Sequence, residues 1–380
     1  MYKKILCLQR GPGTTCRITK RVVHLWLCAK DRTMNPISQR LLNQQLICPQ
    51  FTTPRDVVAW MGAMQAQEYK MMRWAAGMRT KHPSTRAFEM DYNSGSIVRA
   101  HLFRTTWQLV AGEDLGWMLE LCRDNALRGM AGWMHSNGVE IPMAEQDAIQ
   151  SIFADYLTGR RSVLKADFAA TLMDRGIEME EHRLSYHIRL AEYSGLLCSG
   201  DLHPQKPTYA LAADKLPKVT PLSKEEALAR LARTYFRSHG PATLEDFVWW
   251  SGLNIGDCRK GLNAIRSELI EERWKGLSFI RHQDCRTRGF RSGTVTLLPT
   301  YDEYLIGYKS RHVAVHPDHM HRAHSGNGIF WPVILLDGEA VGNWNAAGGR
   351  MKTETFLPDT NIAPEALQEQ IERYRKFCVI

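Results

Sequence analysis

Two glutamines separated by one small residue, Gln65-Ala66-Gln67, are the first residues of this chain whose type and spacing invite chemistry. A carboxamide donates and accepts hydrogen bonds but cannot deprotonate water at neutral pH, so it can position a molecule without acting as a base. The stretch before the pair reads as a helix. Thr53 can cap it, Pro54 suits the first helical position and Asp56 falls in the first turn. Val57, Val58, Trp60, Met61 and Met64 then share one broad apolar face. If the helix continued through Ala66, the two amides would point about 200° apart. A helix end or a loop would let both reach one pocket. At this level the plainer alternative is two surface amides on a fraying helix end.

Other candidates are weaker. His312, His316, His319, His321 and His324 lack the helical HxxxH spacing and carboxylate pairing of a metal site, so they read as a loop and no metal is assigned. Asp302 and Glu303 are adjacent, and in an extended strand they would point to opposite faces, poor geometry for joint acid–base work. There is no phosphate-binding glycine motif and no GxSxG elbow.

At 380 residues, with 44% apolar and 23% charged residues, the chain has the composition of a soluble globular protein of two to four domains. No run of about 18 apolar residues is present, which argues against a membrane span. Nine cysteines, none spaced CxxC, argue against a zinc site or a disulfide framework and for a reducing cytosol. The net charge of +9 is concentrated at one end. Lys3, Lys4, Arg10, Arg17, Lys20, Arg21 and Lys30 face no acid among the first 30 positions, and the rest of the chain is nearly neutral. A DNA footprint must therefore be a local patch. Arg273, Lys275, Arg281, Arg286, Arg288 and Arg291 form one, with Asp284 the single acid between them and Trp274, Phe279 and Phe290 interleaved. Cationic hairpins of this kind suit phosphate contacts.

The elements that must position these residues repeat. Ala148–Leu157, Lys165–Asp174 and Glu181–Ser194 read as three helices ahead of a hairpin, and Lys224–His239, Leu244–Ser251 and Asn254–Leu269 do so again. Helix, helix, helix, hairpin is the winged-helix order. A looser copy covers residues 35–122, where Ile97–Val110 looks like a wing strand. After Arg291 the composition turns to short strands, including Tyr301–Tyr308 and Gly328–Leu336, with Asp337-Gly338 as a hairpin turn, which reads as a small antiparallel sheet or barrel. A helix over Pro364–Phe377 ends the chain.

Four local patterns occur in order: Met64-Gln65-Ala66-Gln67-Glu68, Arg99-Ala100-His101-Leu102-Phe103-Arg104-Thr105-Thr106-Trp107, Leu298 to Tyr308, and Asn327–Pro332 running into Asp337-Gly338 and Val341–Trp344. Together they resemble the winged-helix DNA-binding-domain family that includes the AlkZ and AlkX (YcaQ) DNA glycosylases, from about Asn35 to the C-terminus. The resemblance implies an α+β chain of three tandem winged-helix units followed by a small C-terminal antiparallel β-barrel. The expected division is 1–34, an unmatched disordered tail or an upstream extension before a natural start at Met34; 35–146, 147–222 and 223–291, the three winged helices; and 292–380, the barrel with its helix.

The resemblance also implies monofunctional hydrolysis of the N-glycosidic bond of N7- or N3-alkylated purines, with unhooking of interstrand crosslinks. It needs no cofactor, and a monomer in the cytoplasm, at the nucleoid, would act on alkylated or crosslinked double-stranded DNA. The family's catalytic motif, glutamine, an apolar residue, then glutamine or aspartate, falls on Gln65 and Gln67, with His101, Arg104 and Thr106 as active-site support. The pattern departs at Gln108, where the family usually has histidine. An alkylated purine is already cationic, so its departure needs no acid; the amides would place the attacking water, and placement alone supplies several kcal/mol. Bulky lesions favour an open cleft over base flipping into a tight pocket. The alternatives are a non-catalytic winged-helix DNA-binding protein or transcription regulator, and a barrel that binds a small ligand.

Overall fold

The computed structural model describes residues 35–347 and 350–378; the readings made for residues 1–34 lie outside the described residues. Helix α1 (Pro36–Asn43) is capped by the Asn35 side chain. Helix α2 (Pro54–Met61) starts where expected, with Thr53 Oγ1 accepting from the Asp56 amide at 3.1 Å. It stops before its apolar face does. Gly62 takes φ +80, a conformation that costs a residue with a Cβ, and its N–H closes the last turn on the Val58 carbonyl. The next residues are therefore strand, β1 (Ala63–Gln65), not helix.

Helices α3 (Met71–Gly77) and α4 (Thr85–Asn93) follow, then the hairpin β2 (Ile97–His101) and β3 (Trp107–Ala111). The stretch expected as one wing strand is thus two, folded about residues 102–106. Strand β1 pairs antiparallel with β3, giving the order β1-β3-β2. The long helix α5 (Leu115–Ser136) leads into α6 (Met143–Leu157), β4 (Val163–Leu164), α7 (Lys165–Asp174), α8 (Glu181–Tyr193), β5 (Leu197–Ser199) and β6 (Thr208–Leu211), with order β4-β6-β5. After the short α9 (Ala212–Lys215) come α10 (Lys224–Ser238), α11 (Leu244–Ser251), α12 (Ile255–Ala264), β7 (Leu269–Trp274) and β8 (Leu277–His282). Here the short first strand shrinks to one bridge, Ala242 to Ile280. Helix, short strand, helix, helix, hairpin thus occurs three times. The copy that the sequence shows only loosely, over residues 35–122, is as complete as the second.

The C-terminal part comprises β9 (Val295–Leu298), α13 (Glu303–Ile306), α14 (Met320–Ala323), β10 (Val333–Leu336), β11 (Glu339–Ala347), β12 (Arg350–Thr355) and α15 (Pro364–Cys378). Its sheet runs β12-β11-β10-β9 and is open: among the described residues its two edge strands do not pair, which corrects the expected barrel. Four short strands are too few to close around a filled interior. Helices cover the sheet instead: Leu41 and Leu42 of α1, Trp74 of α3 and Phe377 of α15 join Leu297, Ile334 and Trp344 in one core. The strand expected over Tyr301–Tyr308 is a turn and α13. Tyr301 sits at φ +57, and Asp302 caps the helix by accepting from the Tyr304 amide. Likewise β10 starts only after Pro332.

The cores do not respect the expected domain boundaries. One cluster joins Val98, Phe103 and Val110 of the first hairpin to Leu231, Tyr235 and Trp250 of the third set of helices and to Cys198 and Ala210 of the second hairpin. Separate clusters sit inside the first copy (Val57, Met61, Met64, Phe88, Leu109) and the second (Phe153, Val163, Phe168, Leu172, Ile188).

Candidate active site

The early end of α2 decides the geometry of the glutamines. Gln65 ends the strand and Gln67 stands on the bend just past it, and the two side chains turn toward the same neighbours. The ladder continues past β1, with the Ala66 amide donating to the Trp107 carbonyl at 2.8 Å. Gln65 Nε2 donates to Thr106 Oγ1 at 3.1 Å, and Gln67 Oε1 accepts from the Trp107 amide at 3.4 Å. Both amides converge on one dipeptide, Thr106-Trp107. Gln65 is 5% exposed, whereas Gln67 is open to solvent.

Counting bonds shows what is left over. Gln65 Oε1 also accepts from the Ala66 amide at 3.1 Å, so its carboxamide retains one lone pair and one N–H. Gln67 retains one lone pair and both N–H groups. Together they can hold a water from both sides.

Two side chains fix the strand that carries them. β1 is an edge strand, and its outer amide, Gln65 N, donates to Glu303 Oε1 at 2.6 Å. Glu303 is 1% exposed; its other oxygen accepts from Trp250 Nε1 at 3.2 Å and lies 3.3 Å from His239 Nε2. Burial lowers the pKa of His239 despite that carboxylate. The neighbouring Asp302 is locked in a fully buried ion pair with Arg79 at 2.7 Å. On the far side, Arg99 Nε donates to the Ala66 carbonyl at 3.0 Å, and its guanidinium lies 3.7 Å from the Trp107 ring centroid.

The expected supporting residues differ in what they touch. Thr106 Oγ1 accepts from both Gln65 and Gln108 and donates to the Phe103 carbonyl. His101 touches neither glutamine. It packs on Trp107, ring centroids 3.6 Å apart, and pairs through Nδ1 with Glu192 Oε2 at 2.7 Å, while burial holds its pKa down against that partner. Arg104 lies on the same hairpin tip but turns to the Trp249 and Ile306 carbonyls. Gln108, at the histidine position of the pattern, is the ladder partner of Gln65 and donates to the Phe103 carbonyl at 3.1 Å.

Sequence reasoning missed Glu303, Arg99 and Gly62. Gly62, placed just past an apolar helical face, was the readable signal. The aromatic and β-branched residues around Glu303 disguised a helical turn as strand. The five histidines of residues 312–324 bring no metal cluster together among the described residues.

Of the six basic residues expected to meet DNA, two are committed internally. Arg281 pairs with Glu272 at 2.8 Å, and Arg286 donates to the Cys48 carbonyl at 2.9 Å. Arg273, Lys275, Arg288 and Arg291 are exposed. Lys275 sits at the hairpin tip with Gly276, both at positive φ, and its Nζ lies 4.4 Å from the Trp274 ring centroid. A separate cleft of about 1010 Å³ opens at Glu68, beyond Gln67, lined by Arg73, Trp331, Asn343, Trp344 and Tyr374; it does not contain the glutamines.

Over residues 58–377 the chain matches the family described as DNA glycosylase AlkZ-like. It belongs to the AlkZ-like DNA glycosylase family. A curated relative, the interstrand DNA cross-link repair glycosylase of Streptomyces sahachiroi, is 26% identical over 341 residues, covering 83% of this chain and 89% of the relative. The solved structure of the Streptomyces sahachiroi DNA glycosylase AlkZ superposes with a TM-score of 0.73 at 21% identity, over 90% of this chain and 95% of that one, and so shares the fold. No helix among the described residues of this AlkZ-like glycosylase is long and apolar enough to cross a membrane.

Proposed function

We propose that this AlkZ-like glycosylase is a monofunctional hydrolase that removes N7- and N3-alkylated purines from double-stranded DNA and unhooks interstrand crosslinks as a monomer. The three repeated sets of elements act as winged-helix units that hold the duplex, with the exposed Arg273, Lys275, Arg288 and Arg291 on phosphates, and the cytoplasmic nucleoid is where such a substrate lies. The crosslink reading is supported by the Streptomyces sahachiroi relative, an interstrand DNA cross-link repair glycosylase.

The observation that carries the mechanism is the convergence of Gln65 and Gln67 on Thr106-Trp107. Alkylation makes the purine a cationic leaving group, so the barrier lies in stabilising an oxocarbenium-like sugar and delivering water to its open face. The spare donors and acceptors of the two amides hold that water. Glu303 is spent on the Gln65 backbone and Trp250, so it serves as an anchor for the strand and not as the base. Held geometry, not proton abstraction, lowers the barrier, and a displacement of about 1 Å would cost roughly a hundredfold.

The test incubates the protein with a duplex holding one N7-alkylguanine and scores abasic sites by alkaline cleavage. Base release is expected, with a loss of about a hundredfold or more in the Gln65→Ala/Gln67→Ala double variant. Release no faster than buffer, or equal release by the double variant, would leave a DNA-binding protein without this chemistry.

A further inference from the structure

Arg104 and Arg311 are two guanidinium groups that share one aromatic support and, among the described residues, have no carboxylate partner. Arg104 Cζ lies 5.8 Å from the Trp249 ring centroid and Arg311 Cζ lies 5.3 Å from it, so the two charges cannot be farther apart than the sum of those distances. Arg311 also lies 4.9 Å over Phe330. The nearest acids are occupied. Glu303 anchors Gln65, and Asp246 pairs with Arg40 and accepts from the Lys309 amide.

Both groups keep donors in reserve. Arg104 spends Nη1 on the Trp249 and Ile306 carbonyls, at 3.4 Å each, while its buried Nη2 has no partner among the described residues; Arg311 spends Nη1 on the Lys309 carbonyl, and its buried Nε has none among them. A guanidinium carries five N–H donors, so each group has others to offer, and an arriving anion offsets the cost of desolvating its charge.

The backbone is bent to present them. Arg104 and Thr105 both take positive φ, +59 and +56, a costly choice for two consecutive non-glycine residues and one found at ligand clamps. Gly252 lets the tip approach, since a Cβ there would lie 3.1 Å from the Arg104 amide nitrogen. Trp249 is held by its own bond from Nε1 to the Ile306 carbonyl at 3.0 Å and is 39% exposed. Lys309, Arg311 and His312 line the adjoining cleft of about 450 Å³ together with Glu245 and Asp246.

We infer that Arg104 and Arg311, braced on Trp249, form a clamp for a backbone phosphodiester of DNA beside the glutamine pair. The clamp rests on the reading of this chain as acting on DNA. Arg104 stands two residues before Thr106, which holds Gln65, so a phosphate seated here fixes the register of the strand over the water-positioning amides. It is distinct from the third-repeat hairpin with Arg273 and Lys275, which meets the duplex elsewhere and without aromatic bracing of two arginines.

Binding of an unmodified duplex tests the clamp without requiring base release. Affinity is measured by fluorescence anisotropy from about 50 to 200 mM salt for the parent, Arg311→Gln and Arg311→Lys, with unfolding temperatures recorded. One lost phosphate contact lowers the slope of log K against log salt by about 0.9. Arg311→Gln is expected to show that loss at an unchanged unfolding temperature, and Arg311→Lys to restore most of the slope. A parent slope retained in Arg311→Gln, or no duplex binding by the parent, overturns the clamp. A parent that binds with the expected slopes yet releases no base keeps the clamp and removes the glycosylase chemistry.

Discussion

The first and second repeats build the same short strand in the same place and do different things with it. Strand β1 pairs with β3 as β4 pairs with β6, each antiparallel to the second strand of its hairpin. In the second repeat the strand is Val163-Leu164, and the chain enters α7 at once, with Asp167 Oδ2 accepting from the Leu164 amide at 2.6 Å. In the first repeat five residues, 66–70, intervene before α3, which leaves Gln65 at the end of the strand and Gln67 on the bend just beyond it. The second difference comes from outside the repeat. The free edge of β1 is capped by Glu303, more than two hundred residues away, whereas β4 is capped by its own helix. A generic helical scaffold thus becomes a site through a lengthened strand and one buried carboxylate brought from the C-terminal part.

The comparison breaks most forcefully at the anchor of that imported segment. Arg79→Met leaves Asp302 buried without its cation, and the expected loss is about 3–5 kcal/mol of unfolding free energy, read by urea denaturation. A loss under about 1 kcal/mol would mean that the segment before Glu303 is held by packing alone. Next comes Glu303→Gln. An amide can offer its oxygen to Gln65 N or to Trp250 Nε1, but its NH₂ then faces the other donor. The strand shifts, and the expected result is a roughly 10- to 100-fold lower rate of base release with duplex affinity unchanged. Affinity falling in step with the rate would instead place Glu303 in DNA binding.

Acid should separate the site from its surroundings more gently. His101 beside Glu192 and His239 beside Glu303 are both held below the ordinary histidine value by burial, which outweighs the nearby carboxylates. The unfolded chain then binds protons more readily than the native one, so stability rises with pH. Their contribution is complete above about 6.5, the ordinary histidine value, and is lost progressively as pH falls toward their lowered values. Thermal scans should show the unfolding temperature dropping between pH 7.5 and 5.5, less steeply in His101→Gln. A temperature that is flat or rises toward pH 5.5 would contradict the buried neutral state of these rings.

Much of this arrangement was readable from residues. Local signals are enough for the capped start of α2, the second and third repeats, and the Asp337-Gly338 turn, because caps, apolar periods and glycine turns act within a few residues. Gln65 and Gln67 drew attention by their spacing, but only the resemblance of the four ordered patterns made them the pair to watch. What escaped was long-range. Glu303 meets Gln65 only after the chain has folded, and no periodicity in Tyr301–Tyr308 announces it. The open sheet escaped for a related reason: strands can be counted from sequence, but whether their edges meet depends on helices such as α1 and α15 that arrive from both ends of the described chain. Arg281 and Arg286 looked like their exposed neighbours because the partners that absorb them lie on other strands and loops.

The smallest expected effect sharpens the comparison from the other side. Asp167 in the second repeat stands where Glu303 stands in the first, as the carboxylate that satisfies a short strand's terminal amide. It does so from the first turn of its own helix and at a partly exposed position. Asp167→Ala removes a helix-capping bond, for which about 1 kcal/mol of stability is the ordinary loss. Since the Asp167 carboxylate bonds its own strand and neither glutamine, base release at a temperature where the variant is fully folded should equal that of the parent. The two variants then form a pair: equivalent bonds in equivalent strands, one removing stability alone and the other removing rate at constant affinity. If Asp167→Ala also slowed base release severalfold, the second repeat would have to help shape the site through Glu192 and His101, a polar link between α8 and the hairpin that holds Thr106.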